Sequence, residues 1–480
     1  MTPSQIDVAI IGAGTAGMGA YRAARKYTDS VLLIEGGAYG TTCARVGCMP
    51  SKLLIAAAQT AHQARHAKPF GVNVAGVTVD GVAVMARVAR ERNRFVGFVL
   101  DSVEAIPQVD RLKATVHFQD DNTLVTEQGQ LIRAKRVVIA TGSIPVLPPL
   151  LRELGAYLLT NESIFDLPAL PKTLAVFGSG VLGMELAQAM SRLGVSVKVF
   201  GVGGSLAGIH DPEIRDYANK IFNEEFYLDA SAQVKSVKES ATGIDVHYLN
   251  RDGSWQTEQF DYVLAATGRA PDVAGLALKN TGLQLNDRGV PLFDRYTGQC
   301  GNSPIFIAGD ASNEIPLLHE AADQGRIAGE NAGRYPDSRP GLRRTPLAVV
   351  FTDPQVASVG FNLKQLGQHF KDRFAVGLAS FENQGRSRVM LRNKGILKVY
   401  AEHGSDLFLG AEMFGPAAEH IGHLLAWAAQ TRMTVSQMLE MPFYHPVIEE
   451  GLRTALRELN HNLHIESEVI ERCMDCGPGA

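Results

Sequence analysis

Cys43 and Cys48 stand five positions apart in the run Gly40-Thr41-Thr42-Cys43-Ala44-Arg45-Val46-Gly47-Cys48-Met49-Pro50-Ser51-Lys52, in a chain with only five cysteines. On a regular α-helix that offset is a rise of about 7.5 Å and a rotation of roughly 140°. A disulfide wants Cα atoms about 4.4–6.8 Å apart with converging Cβ vectors. An undistorted helix would therefore hold the two sulfurs apart. Gly47 supplies backbone freedom for a bend between them, and Pro50 restricts Met49. A pair brought together in a bent first turn opens and closes reversibly, as a redox dithiol. Two unrelated buried thiols are the plainer alternative, because free cysteine is among the most buried residue types. The surroundings must decide between them.

Upstream, an apolar strand at 6–11 runs into Gly12-Ala13-Gly14-Thr15-Ala16-Gly17. A helix follows to about Lys26, and a second apolar strand at 31–34 ends on Glu35. This is a βαβ unit with a G-x-G-x-x-G turn. Gly12 makes the tight turn, Gly14 lets backbone approach a pyrophosphate, and Gly17 lets helix and strand pack closely. The helix N-terminus faces the phosphates with unpaired N–H groups. Glu35, 23 residues after Gly12, can accept hydrogen bonds from a ribose. Cys43 comes eight residues after that acid. A flavin exchanges electrons with sulfur far better than a nicotinamide does, so FAD is the expected occupant of this first site.

A second unit begins at strand 173–177 and continues through Gly178-Ser179-Gly180-Val181-Leu182-Gly183, a helix, and strand 195–200. Two such folds imply two nucleotides, most naturally a nicotinamide donor and a flavin relay. The position that should carry the second ribose-binding acid is Gly201, which selects neither coenzyme; NAD is expected and NADP is not excluded. Strand 136–140 ends in Thr141-Gly142, strand 262–266 in Thr267-Gly268-Arg269, and strand 305–308 in Gly309-Asp310. An aspartate at a strand's carboxyl end in an open α/β sheet sits where ligands bind, although a helix N-cap would look the same. Residues from Leu53 to about Leu100 read as helical, and Val146-Leu147-Pro148-Pro149 as a linker.

From about Arg343 the pattern becomes α+β with no glycine fingerprint. Near its end His445-Pro446-Val447-Ile448-Glu449-Glu450 leads into a helix with Ile448, Leu452, Ala455, Leu456 and Leu459 on its buried face. Glu450 could turn back and orient the His445 imidazole, though a lone histidine is more often structural. Cys300 reads as a packing residue. The 480 residues are 45% hydrophobic and 20% charged with a net charge of −4, an ordinary globular composition without the basic footprint of a nucleic-acid binder. No apolar run is long enough for a membrane helix. The first residues lead straight into a strand, and five cysteines make no disulfide framework, so a cytoplasmic location is expected.

Taken together, the cysteine stretch, both glycine turns, Ala140-Thr141-Gly142, Ala266-Thr267-Gly268-Arg269, Gly309-Asp310 and the His-Pro segment give a chain that resembles the pyridine nucleotide–disulfide oxidoreductases from Ile6 to about Asn460. The family includes dihydrolipoamide dehydrogenase, glutathione reductase and mercuric reductase. The resemblance implies an α/β fold with two Rossmann-like dinucleotide-binding domains and a C-terminal α+β dimerisation domain. Its expected parts are an FAD domain at 1–148, an NAD(P) domain at 149–268, a segment at 269–342 completing the FAD domain, a dimer-interface domain at 343–460 and a tail at 461–480. It assigns Gly12, Gly14, Gly17, Glu35, Thr141, Gly142 and Asp310 to FAD, and Gly178, Gly180, Gly183 and Gly268 to the nicotinamide coenzyme. Lys52 would lie by the flavin and pair with Glu185. His445, oriented by Glu450, would reach the dithiol of the other subunit of a homodimer.

By the same resemblance, a substrate thiolate attacks Cys43 and leaves Cys48 as the thiolate facing the flavin. A small dithiol or disulfide is the expected substrate, with lipoyl groups on a carrier protein as one form. Departures from the family pattern are Thr41 for a usual glycine, Arg45 for a common asparagine, and Gln355 for a usual glutamate. In the tail, Cys473 and Cys476 form a C-x-x-C that could be a second, relaying dithiol or an exposed tail without a role. A zinc clip with His461 and His464 lacks a recognisable finger pattern, and no metal is expected.

Overall fold

Two apolar strand sets, each broken by a glycine turn, build the parallel parts of two sheets. The computed structural model describes residues 4–463. In it, strand Ser4–Ile11 lies between Val31–Glu35 and Leu131–Ile139, parallel to both. Helix Thr15–Ala24 makes the crossover. Val8, Ile10, Leu33, Val137 and Val138 are buried, as the strands of a sheet covered on both faces should be. Ile305–Ile307 returns from far along the chain to pair with residues 137–139 of this sheet. Helix Leu318–Arg334 then packs on Thr15–Ala24 at glycine distance. A Cβ on Gly325 would fall 2.2 Å from the Ala16 carbonyl oxygen, and one on Gly329 2.3 Å from that of Ala20.

The second sheet runs Tyr227–Asp229, Ser196–Phe200, Thr173–Phe177, Tyr262–Ala265, Leu158–Leu159, all parallel. A hairpin turns at Asn250-Arg251-Asp252-Gly253, with Leu249 opposite Trp255. Strand Val234–Ser240 adds a third, antiparallel member that the sequence reading did not anticipate. Ser143–Pro145 and Arg269–Pro271 pair antiparallel, tying the chain entering the second body to the chain leaving it.

The helix expected from Leu53 to about Leu100 is instead two helices, Cys48–Arg65 and Gly81–Glu104. Between them Pro69 lies in a short turn that ends at Gly71 with φ 78°. The proline fixes φ and removes a donor, and the glycine takes a left-handed conformation, so the helix cannot propagate. From Leu347 a five-stranded antiparallel sheet forms, in the order Leu347–Val350, Gln355–Gly360, Phe408–Gly415, Ile396–Glu402, Phe374–Ser380. Helices Ala418–Gln430 and Glu450–Asn462 cover it. The architecture is two dinucleotide-binding α/β bodies and a C-terminal α+β body. Among the described residues no helix is long and apolar enough to cross a membrane. His464, Cys473 and Cys476 lie outside the described residues.

Candidate active site

The bend at Gly47 is real. Thr42–Val46 is one short helix and Cys48–Arg65 another, with Gly47 between them at φ −130° and ψ −117°. The Thr41 hydroxyl caps the first by accepting from the Ala44 N–H at 3.3 Å. A Cβ on Gly47 would sit 3.0 Å from the Thr42 carbonyl oxygen and 3.2 Å from the Cys43 Cα, so glycine permits the close turn. Both cysteines are free thiols, hydrogen-bonded to each other. The pair is electrically asymmetric. The hydrogen bond from Cys43 and then the nearby Lys52 ammonium pull the Cys48 thiol down to about 7. The same hydrogen bond, with burial, pushes Cys43 up.

Cys48 faces a cavity of about 290 Å³ that Cys43, Lys52, Glu185, Arg269 and Asp310 also line. Lys52 Nζ reaches Glu185 Oε2 at 2.8 Å and Oε1 at 3.1 Å. Glu185 is 2% exposed and also accepts the Phe351 N–H at 2.9 Å. The Lys52 ammonium lies 4.6 Å from the centre of the Phe351 ring. A buried carboxylate is tolerable only with partners of this kind, so the pair is held from three directions.

Next to the dithiol cavity, a cavity of about 390 Å³ runs along the first glycine turn and is lined by Gly12, Gly14, Glu35, Arg45, Thr141 and Gly142. Gly12 has φ 107°, and a Cβ there would fall 2.3 Å from the Ala140 carbonyl oxygen. One on Gly17 would fall 1.8 Å from that of Gly12, while Gly14 faces open space. Glu35 accepts the Ala13 and Gly37 N–H groups, each at 2.7 Å. Thr141 Oγ1 is buried with no hydrogen-bond partner. An open backbone at a helix N-terminus, an orphaned hydroxyl and a positioned carboxylate fit a dinucleotide.

A third cavity, about 870 Å³, follows the second turn through Gly178, Gly180, Gly201 and Gly268 to Arg269 and Asp310. Gly183 lies in the helix behind the turn, where a Cβ would fall 2.0 Å from the Gly178 carbonyl oxygen.

Sequence reasoning missed the polar bridge that joins these cavities. Asp310 Oδ2 accepts the Ser143 hydroxyl at 2.7 Å. Ser143 Oγ in turn accepts from Arg269 Nε at 2.8 Å, and Arg269 Nη1 donates to Asn161 Oδ1 at 2.9 Å. Asn161, 6% exposed, donates from Nδ2 to the Val46 carbonyl at 3.0 Å, one residue before the Gly47 bend. Burial depresses the Arg269 guanidinium, and Asp310 partly restores it. Arg269 was visible as part of a motif. Ser143 and Asn161 carry no pattern of their own, because their roles depend on contacts more than 100 residues away.

His445 Nδ1 lies 2.8 Å from Glu450 Oε1, and Glu450 Oε2 accepts the Val447 N–H at 3.1 Å. The Glu450 side chain is 10% exposed and that of His445 68%. Among the described residues of the single chain, no hydrogen bond or ion pair joins His445 to either cysteine. Leu424, Trp427, Met441 and Tyr444 of the same body are exposed apolar side chains. Cys300 is fully buried in the first sheet's core, where burial alone pushes its thiol up to about 12.

A cysteine pair set between two dinucleotide folds defines a dithiol oxidoreductase served by two nucleotides. The chain belongs to the pyridine nucleotide-disulphide oxidoreductases: that family's profile matches residues 6–325, and the profile of its dimerisation domain matches residues 347–456. A mercuric reductase of Shigella flexneri is 31% identical over 478 residues, covering 95% of this chain and 81% of that protein. A dihydrolipoyl dehydrogenase of Geobacillus stearothermophilus is 29% identical over 468 residues, covering 96% and 98%. The solved structure of LpdA from Mycobacterium tuberculosis shares 26% identity with a TM-score of 0.80, covering 95% of this chain and all of that one. The protein is an FAD-dependent oxidoreductase that works with NAD(P)H.

Proposed function

We propose that the protein is a dihydrolipoamide dehydrogenase-like enzyme, oxidising a small dithiol at the Cys43–Cys48 pair and delivering the electrons to a nicotinamide coenzyme. The observation that carries this reading is the meeting of Cys43 and Cys48 across the Gly47 bend, in a cavity that Gly14 of the first glycine turn and Val181 and Leu182 of the second also line. Gly12, Gly14, Gly17, Glu35, Thr141, Gly142 and Asp310 would hold FAD, and Gly178, Gly180, Gly183 and Gly268 the nicotinamide coenzyme. Bound FAD supplies a two-electron couple matched to sulfur, which a nicotinamide alone lacks.

The chain's own residues handle sulfur and protons. In the oxidised enzyme the pair is a disulfide. A substrate thiolate attacks Cys43 Sγ, the Cys43–Cys48 bond breaks, and Cys48 leaves as a thiolate. The Lys52 ammonium, which favours the charged form of Cys48, makes it the better leaving group of the two. The second substrate thiol, deprotonated by His445, attacks the substrate sulfur bonded to Cys43. The oxidised substrate departs and Cys43 takes a proton. Glu450 fixes the His445 ring so that Nε2 faces outward as the base. Lys52, held by Glu185, balances the Cys48 thiolate. His445 would serve the dithiol of a second subunit, with the apolar face around Trp427 and Tyr444 covered in a homodimer.

Likeness to a mercuric reductase favours a second reading, reduction of a metal ion or bulky disulfide with Cys473 and Cys476 as relay. Steady-state assays of the purified holoenzyme with dihydrolipoamide, glutathione disulfide and Hg(II) separate the two. The expected result is turnover of dihydrolipoamide that survives Cys473→Ser with Cys476→Ser. Loss of most activity in that double variant, or turnover of Hg(II) alone, overturns the first reading.

A further inference from the structure

We infer that the nicotinamide-coenzyme site accepts NAD and NADP alike, because Ser179 and Gly201 leave its adenosine-ribose end without charge. This rests on the assignment of the second glycine-turn fold to the coenzyme and adds its selectivity.

The two glycine turns correspond atom for atom where it matters. Gly12 and Gly178 have φ 107° and 111°. Each donates its N–H to a strand-end carbonyl, Ile34 at 2.7 Å and Phe200 at 2.8 Å. A Cβ on either would fall 2.3 Å from the carbonyl oxygen after the neighbouring strand, Ala140 in one and Ala266 in the other. The strand registers agree as well, with Ile11 opposite Ile34 and Phe177 opposite Phe200. Ser179 is therefore the counterpart of Ala13, and Gly201 of Glu35.

In the first site the Ala13 N–H donates to Glu35 Oε2 at 2.7 Å and fixes the carboxylate. In the second no carboxylate exists, and the space for one is taken. A Cβ on Gly201 would fall 2.2 Å from Ser179 Oγ and 2.9 Å from the Ala230 Cα. The Ser179 hydroxyl is itself engaged, donating to the Ser205 carbonyl. Among the described residues lining this cavity only Arg269 and Asp310 are charged, and both also border the dithiol cavity.

An acid at this position selects NAD by accepting ribose hydroxyls, and an arginine selects NADP by meeting its 2′-phosphate. A phosphate monoester carries about −1.5 to −2 charge near neutral pH, so a carboxylate beside it also repels. With neither group present, discrimination is lost in both directions, and the Ser205 hydroxyl remains as a neutral partner for either form.

Calorimetric titration of the oxidised holoenzyme with NAD⁺ and with NADP⁺, without any dithiol, tests this by binding alone. Dissociation constants within about tenfold of each other are expected, and a larger preference either way overturns the inference. Binding of neither overturns the assignment of the fold to the coenzyme as well, which keeps the two failures apart. The double variant Ser179→Ala with Gly201→Glu removes the nearest obstruction, the Ser179 hydroxyl, and places an acid beside the Ala230 backbone. Its ratio of NADP⁺ to NAD⁺ dissociation constants should rise by at least about tenfold. An unchanged ratio in a folded, flavin-loaded variant overturns the inference.

Discussion

Cys48 titrates at a different pH from its partner because its neighbours and its burial act unequally on the two sulfurs. Cys43 donates a hydrogen bond to it, burial opposes its charge, and Lys52 favours it. Below about 7 the thiol is protonated, and above it the thiolate dominates. In the dithiol-reduced holoenzyme, the rate of iodoacetamide labelling at Cys48, read by mass spectrometry, should therefore rise with a midpoint near pH 7. Cys43 should stay unlabelled across the same range. Cys43→Ala removes the larger stabilising contact and Lys52→Met the smaller, so both should move the midpoint upward, the first further. A midpoint unmoved by either substitution would refute this account of the asymmetry. The cysteines, the lysine and both glycine turns were legible in the sequence because each requirement is local: a thiol pair, a bend, a missing Cβ. The Lys52–Glu185 contact was legible only through resemblance, since 133 residues separate the partners.

The short Thr42–Val46 helix is little more than one turn, too little to be stable by itself. Its end is pinned from another body, where Asn161 donates to the Val46 carbonyl and accepts from Arg269. Asn161→Ala leaves a carbonyl and a guanidinium N–H without these partners in buried surroundings. It should cost about 1–3 kcal/mol in urea unfolding of the holoenzyme. A loss under about 0.5 kcal/mol would mean that water replaces the amide without penalty. The elements themselves were largely readable where apolar runs met glycine turns, as at 6–17 and 173–183. Reading failed at 66–80, where apolar residues on either side masked a break set by Pro69 and Gly71. It failed again at Val234–Ser240, a strand exposed along much of its length, whose alternation is diluted by lysine and serine.

At the scale of the whole molecule, the histidine and the cysteines lie on different bodies with no bond between them in one chain. If His445 serves the partner's dithiol, each site needs two subunits. A co-expressed dimer pairing a Cys43→Ser, Cys48→Ser subunit with a His445→Gln subunit then contains one complete site. Its dihydrolipoamide turnover should recover to about half of the wild-type value, although either homodimer alone is nearly inactive. Recovery no greater than the sum of the homodimers would mean that the histidine does not act on the partner's dithiol.

The Glu185 carboxylate has its own consequence for how such a protein can be altered. One side chain from the second body receives a lysine from the first and a backbone amide from the third. Any hybrid that exchanges one body with a relative must bring the matching lysine, carboxylate and Phe351 backbone as a set. Otherwise the seam is left with a buried charge facing the wrong neighbour.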